Sequence, residues 1–273
     1  KSLLTFPKGG VHPPEAKDQT AALAIERMPM PDELELILGQ HIGAPCTPTV
    51  NKRDIVQEGA IIGEVTKGLG VPLHAPMTGT IKNIGMSAHP MRVKVPSITI
   101  AVDKEAPPSV YQPQHWDHLS AKDLLDKVRD AGIIGIGGAG FPTHVKLKPP
   151  ADANIDTLLL NGAECEPYIT SDHRQMLEQP REIVEGAKII LKILGIKICQ
   201  IGIESNKPDA IAAMTQAASE GSSLDYNLAV RALEVKYPQG SEKMLIMALF
   251  GVVGGIVGGR EGTLMALVFG GAM

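Results

Sequence analysis

Four glycines within six positions, Gly135, Gly137, Gly138 and Gly140 of the segment GIIGIGGAGFPTHVKL, leave a run of backbone N–H groups bare of side chains. Successive free amides can converge on an anion, and without Cβ atoms a phosphate or a flat ring can approach the main chain closely. Lys146, beyond the turn at Pro142, is placed to pair with a phosphate. The loop follows a predicted helix, whereas the strict dinucleotide fingerprint follows a strand, so a structural turn is the competing reading of the string.

A second chemical segment is NGAECEPYITSD, Asn161 to Asp172, which comes directly after the apolar run DTLLL. Ligands of open α/β sheets gather at the carboxyl ends of strands, and Asn161, Glu164 and Glu166 stand at such an end. Ordinary acids on a solvated loop are the alternative. Cys165 sits between the two glutamates, whose negative charge disfavours a thiolate, so it reads as a packing residue. Glu204, Asn206 and Lys207 close the next strand, KICQIGIE, and YPQGSEK, Tyr237 to Lys243, closes NLAVRALEV. Three successive strand ends therefore bring polar chemistry to one edge.

The elements that position these residues follow from periodicity. LSAKDLLDKVRDAG has the spacing of a helix, with Ser120 and Asp123 as a capping box and Gly132 as its left-handed stop. Then IDTLLLN, KICQIGIE and NLAVRALEV read as strands, separated by the helices EIVEGAKIILKILG and KPDAIAAMTQAASEG. This alternation means a layered α/β domain with at least partly parallel strands. It is expected over 119–273, after a Pro-rich linker at 103–118 and an all-β stretch at 40–102. Residues 1–39, rich in Pro and Gly, read as an extended arm lying on something else. Within the β stretch, VNKRDIVQEGAIIGEV and HAPMTGTIKNIG form two similar halves of a barrel sandwich, which resembles the lipoyl/biotinyl carrier fold. Arg53 stands where that fold usually has Gly before Asp54, which strains the turn only if the site needs φ > 0.

Hydrophobic residues make up 44% of the 273 and charged residues 21%, the balance of a globular chain with room for two domains. A net charge of −4 and no basic strip argue against nucleic acid as a partner. Cys46, Cys165 and Cys199 are too few and too scattered for a disulfide framework or a thiolate metal site. His12, His41, His74 and His144 have no mutual ligand spacing, so no metal is expected. No signal-peptide pattern opens the sequence, and the apolar stretch from Met247 is cut by Arg260 and Glu261 short of a membrane span.

The strings GGVHPPEAK, QHIGAPC, HAPMTGTI, GIIGIGGAGFPTHVKL, NGAECEPYITSD, IESNKPDAI and YPQGSEK stand in the order found in the RnfC family of Rnf-type electron-transport complexes, and the chain resembles that family over residues 6–246. The family is related to the NADH-binding flavoprotein of respiratory complex I, whose motifs match Gly135–Phe141, Asn161–Pro167 and Tyr237–Glu242. The resemblance implies a Rossmann-like layered FMN/NADH-binding domain behind the barrel sandwich. It implies FMN held non-covalently by Gly135, Gly137, Gly138, Ala139, Gly140, Phe141 and Lys146. Asn161, Glu164 and Glu166 would line the isoalloxazine and nicotinamide side, joined by Glu204, Gly240 and Glu242. NADH would be the substrate, with no side chain acting as acid or base.

Electrons would pass to iron–sulfur partners: the other Rnf proteins and a ferredoxin-type acceptor, peripheral to the cytoplasmic face of the bacterial inner membrane. The two [4Fe–4S] clusters need four thiolates each and are expected in a domain beyond these residues, where a truncated chain would end. Three departures bear on the site: Ile136 replaces a phosphate-binding Arg, Ala163 replaces Asp, and Ser241 replaces the first Glu of a pair. They imply one phosphate contact fewer and a less acidic dinucleotide side. The tail FGVVGGIVGGREGTLMALVFGGAM lacks the V-x-N-V-x-T segment that closes over the flavin phosphate in the family. Two other classes stay open: a flavin-free structural adaptor, and a carrier domain modified on Lys67 between the barrel halves.

Overall fold

The computed structural model describes residues 3–107, 109–112, 114–135, 140–150, 153, 155–251 and 265–268. It divides into two compact units, one of residues 27–146 and the other of residues 1–26 with 147–273.

In the first unit seven strands run β1 (Glu33–Ile37), β2 (Thr47–Pro48), β3 (Ile55–Val56), β4 (Ile61–Glu64), β5 (Leu73–His74), β6 (Gly79–His89) and β7 (Arg92–Val102). They form an antiparallel sheet ordered β1-β7-β6-β3 and a smaller one ordered β2-β4-β5. Period-two burial makes this possible: Gly79 and Ile81 point inward on β6 while Thr80 and Lys82 face solvent. Ile81, Ile98 and Ile100 meet Val56, Ile62, Ala75, Leu38 and Cys46 in one core. Strand β1 falls inside the stretch expected as an extended arm, because Glu33–Ile37 pairs in unbroken register with Ser97–Ala101.

Arg53 has φ +80, so its turn does adopt the left-handed backbone that a glycine would take without strain. The same unit contains helix α1 (Ala121–Asp130), capped by Ser120 and Asp123 in a reciprocal box. Gly132 follows at φ +71, as expected of the stop. A Cβ on Gly132 would lie 2.8 Å from the Pro72 carbonyl, so α1 is packed onto this unit through a position only glycine can fill. The one-turn helix α2 (Thr143–Lys146) ends it.

The second unit alternates β8 (Thr157–Gly162), α3 (Ser171–Glu178), α4 (Pro180–Leu194), β9 (Ile198–Glu204), α5 (Pro208–Gly221), β10 (Asn227–Leu233), α6 (Glu242–Phe250) and β11 (Met265–Val268). Its sheet is parallel and ordered β10-β9-β8-β11. All six residues of β8 are buried, as in a central parallel strand covered on both faces. Leu158, Leu160, Ile201 and Ile203 pack with Ile183, Val184, Leu191 and Met214 of the helices. Pro180 opens α4, and Gly195, left-handed at φ +68, closes it.

The chain's first residues lie on this α/β unit. Leu4 bridges Leu233 in parallel, Val11 bridges Tyr237 antiparallel, and the buried Phe6 ring lies 4.1 Å below the Lys236 ammonium. Among the described residues no helix is long and apolar enough to cross a membrane.

Candidate functional site

The neck of the glycine loop is closed by hydrogen bonds within the unit of residues 27–146. Gly135 N–H donates to Phe141 O at 2.9 Å, Gly140 N–H donates to Gly135 O at 3.1 Å, and Ile134 bridges Pro142. The Ile42 N–H of the barrel donates to Gly140 O at 3.0 Å. Gly140 has φ +65, which favours glycine, and a Cβ there would stand in tight contact, 3.3 Å from the His41 Cα. Gly135 is different: among the described residues a Cβ would meet nothing closer than 3.7 Å. Phe141 is exposed, and Lys146 is half-buried at the end of α2. Gly137, Gly138 and Ala139 lie outside the described residues, as do Ile136 and the tail at 252–264 and 269–273.

In the α/β unit, parallel pairing sets the carboxyl ends of β8, β9 and β10 side by side. Asn161 is buried, and both ends of its amide are engaged within the protein. Its Nδ2 donates to Gly240 O at 2.6 Å, and its Oδ1 accepts from Ala163 N at 3.2 Å. Asn161 thus fastens the turn after β8 to the turn before α6. Cys165 adds to the lock, its Sγ accepting from Gly240 N at 3.3 Å. Burial, more than the neighbouring Glu166 and Glu204 carboxylates, pushes the Cys165 thiol up to about 11. It is a packing residue that stays protonated.

Glu164 is buried at a left-handed φ of +44. Its Oε1 accepts from Asp172 N at 2.7 Å and from His173 N at 3.4 Å, which caps the first turn of α3. Its Oε2 is buried without a hydrogen bond, 3.5 Å from the Lys17 ammonium. Asp172 beside it is pushed up to about 7 by burial and by the Glu164 carboxylate, against the pull of Lys207 and Lys17. Glu204 is fully buried. Its carboxyl is raised by that burial, although Lys207 Nζ at 3.2 Å opposes the shift. Lys207, 1% exposed, spends its other donors on Ala163 O at 3.1 Å and Asn206 Oδ1 at 2.9 Å.

Between these strand ends lies a cavity of about 200 Å³ within the α/β unit. Glu164, Glu166 and Glu204 line it together with Lys17, Asn206 and Tyr237. Glu166 is exposed; Glu242 opens α6, also exposed, and is not among the lining residues. Lys17 and Asp172 carried no role in the sequence reading. Lys17 stands in a Pro-rich stretch with no periodicity, and the string GGVHPPEAK was its only signal.

The donor set can be tested against the groups an FMN/NADH site must hold. A cavity lined by several carboxylates, the exposed Glu166 among them, suits N–H and O–H donors, such as a carboxamide, a ribose or the imide edge of a flavin ring. At about 200 Å³ the cavity admits a ring-sized group rather than a whole dinucleotide. The acids of the cavity fit such donors.

Residues 128–268 match the Nuo51 FMN-binding domain, and residues 4–105 match the RnfC barrel sandwich hybrid domain. The C subunit of the proton-translocating ferredoxin:NAD(+) oxidoreductase complex of Clostridium ljungdahlii is 44% identical over 251 residues, which are 91% of this chain and 54% of that protein. The C subunit of the Na(+)-translocating ferredoxin:NAD(+) oxidoreductase complex of Acetobacterium woodii is 41% identical over 246 residues, 89% of this chain and 55% of that one. The chain spans about half the length of these curated relatives. A crystal structure of an NAD+-reducing [NiFe]-hydrogenase in the air-oxidised state shares 24% identity at a TM-score of 0.46, over 56% of this chain and 30% of the other, too distant to argue from.

Proposed function

The chain belongs to the Nuo51 FMN-binding domain family, here behind an RnfC barrel sandwich hybrid domain, and from that premise we propose that it is the electron-input module of an ion-translocating ferredoxin:NAD oxidoreductase complex. It binds FMN, accepts electrons from or returns them to NAD(H), and exchanges them with iron–sulfur partners. The observation that carries this reading is the convergence of the β8, β9 and β10 ends on one cavity lined by Glu164, Glu166 and Glu204.

When bound, FMN supplies the hydride and single-electron chemistry. The protein's residues bind and orient. The loop from Gly135 to Phe141 offers amides to the phosphate, and Lys146 offers its charge. Glu164 and Glu166 accept hydrogen bonds from ring or ribose donors. Asn161, Cys165 and Gly240 hold the turns that carry those acids, and Glu204 with Lys207 fixes the floor. Glu242 is assigned to the dinucleotide side. The partners in this reading are the other proteins of the complex and a ferredoxin-type protein, with the chain peripheral on the cytoplasmic side of the membrane.

Titration of the purified chain with FMN and with riboflavin, followed by flavin fluorescence, tests the phosphate assignment. Lys146→Ala is expected to weaken FMN about ten- to a hundred-fold while barely changing riboflavin, because a charge-assisted hydrogen bond contributes roughly 1.5–3 kcal/mol. Equal losses for both ligands would take Lys146 away from the phosphate. A chain that binds neither ligand would contradict the flavin reading.

A further inference from the structure

We infer that Lys17, carried on the amino-terminal arm, is a positioning residue: its ammonium is the internal cation around which the acidic turn Ala163–Thr170 is folded, and it thereby sets Glu164 and Glu166 for their ligand. That last step rests on the reading just proposed.

An ammonium has three N–H donors and no acceptor. Lys17 Nζ directs its donors at one turn, to Glu164 O at 3.0 Å, to Glu166 O at 3.0 Å and to Ile169 O. The Glu164 carboxylate, 3.5 Å away, balances the charge, and Lys17 is 8% exposed. Three carbonyls of a six-residue span can face one point only if the backbone curls tightly. Glu164 and Tyr168 accordingly hold φ of +44 and +68, a conformation that disfavours side chains. Without a central cation those carbonyls would point their dipoles at one another in a buried space, and the turn would open.

The arm itself is braced, so Lys17 does not merely dangle into the turn. Tyr168 N–H donates to Glu15 O at 2.9 Å, Asn206 Nδ2 donates to Glu15 Oε2 at 2.9 Å, and Thr170 Oγ1 donates to Thr20 Oγ1 at 2.8 Å. Lys207 holds the Ala163 carbonyl from the β9 side. The acidic turn is therefore suspended between two buried ammoniums, one belonging to the sheet and one delivered from the chain's first residues. Glu166, whose carbonyl is one of the three, is exposed and lines the cavity, so its side-chain direction depends on where that carbonyl is pinned.

The test uses Lys17→Met, which keeps the reach and volume and loses the charge, and Lys17→Ala, which leaves a channel the length of n-propylammonium. Hydrogen exchange of the peptide covering 163–170 is read without flavin or dinucleotide, and stopped-flow bleaching by NADH is read on the FMN-loaded chain. Both variants should speed exchange in that peptide about ten-fold or more, with β9 and α4 unchanged, and raise the NADH concentration for half-maximal bleaching by a similar factor. Added n-propylammonium should restore Lys17→Ala on both measures, and tetramethylammonium at equal concentration should not. Parental exchange in Lys17→Met would overturn the proposal. So would loss of protection across the whole sheet, failure of n-propylammonium to rescue, or faster turn exchange with unchanged NADH dependence. A parent chain that never bleaches with NADH would contradict the proposed function instead, while the exchange arm still decides whether the ammonium organises the turn.

Discussion

The Asn161 amide, at the end of β8, donates to the Gly240 carbonyl, before α6, at 2.6 Å, closing a contact between residues 79 apart in the chain. Because the other end of the same amide accepts from Ala163 N, one buried side chain fixes two of the three turns around the cavity. Asn161 acts by holding those turns.

Asn161→Ala should therefore cost about 2 kcal/mol of stability, since the Gly240 carbonyl, half-buried, and the buried Ala163 N–H both lose the Asn161 amide. Asn161→Asp should cost at least as much, because it sets a carboxylate oxygen against the Gly240 carbonyl oxygen. Urea denaturation checks both. A loss below about 0.5 kcal/mol for Ala would mean the bond contributes nothing net.

Gly135 and Gly140 separate steric needs of the fold from ligand approach. Gly140→Ala should destabilise by about 1 kcal/mol or more with or without flavin, because φ is +65 and the His41 backbone is 3.3 Å from the new Cβ. Gly135→Ala meets no close atom among the described residues and should leave the melting temperature within about 2 °C of the parent, so any weakening of FMN it causes reports on the loop's approach to ligand. Thermal melts of the flavin-free chain, with and without added FMN, give both numbers.

Arg53 holds φ +80 in the turn between β2 and β3, donating its N–H to Ile81 O at 2.8 Å. Arg53→Gly should raise stability by about 0.5–1 kcal/mol, the relief of left-handed strain less the extra chain entropy of glycine. Arg53→Ala should not. Equal effects of the two in urea denaturation would assign the gain to removing the Arg side chain.

Much of this architecture was legible in the sequence. Ser120, Asp123 and Gly132 marked both ends of α1 because caps and left-handed stops are local chemistry. The β8, β9 and β10 ends were legible because apolar runs of strand length end abruptly in polar residues. At Arg53 the sequence defined the condition for strain, and the backbone meets it. Lys17 was out of reach, since its partners are carbonyls about 150 residues away and carbonyls carry no sequence identity. The division of labour among the acids was hidden for the same reason: Glu164 caps α3 and Glu204 pairs with Lys207, and neither contact follows from spacing alone. Strand β1 escaped because its apolar positions, Leu34, Leu36 and Ile37, are too few to stand out from a Pro-rich arm.

Asp172 gives the stability of the α/β unit a pH dependence. Its carboxyl is raised to about 7 by burial and by Glu164, so the folded state holds this proton more tightly than the unfolded chain, where an aspartate titrates near 3.8. A raised folded value means the stabilisation is complete below about pH 4 and is lost as pH climbs toward and through about 7. Asp172→Asn keeps the uncharged form at every pH and should flatten that decline, making the variant more stable than the parent at pH 8 by about 1–2 kcal/mol after allowance for solvent screening. Parallel pH–stability curves for the two proteins would place the titration elsewhere.

The central claim is that the acid-lined strand ends present a dinucleotide to a flavin, and stopped-flow bleaching of FMN on the 273-residue chain by NADH tests it most directly. The parent should bleach with saturable dependence on NADH. Glu166→Gln should retain FMN and slow the bleaching about ten-fold or more, because Glu166 is an exposed acid that lines the cavity. FMN that stays bound but is never bleached in the parent, or that is bleached at the parental rate in both Glu166→Gln and Glu242→Gln, would contradict the account.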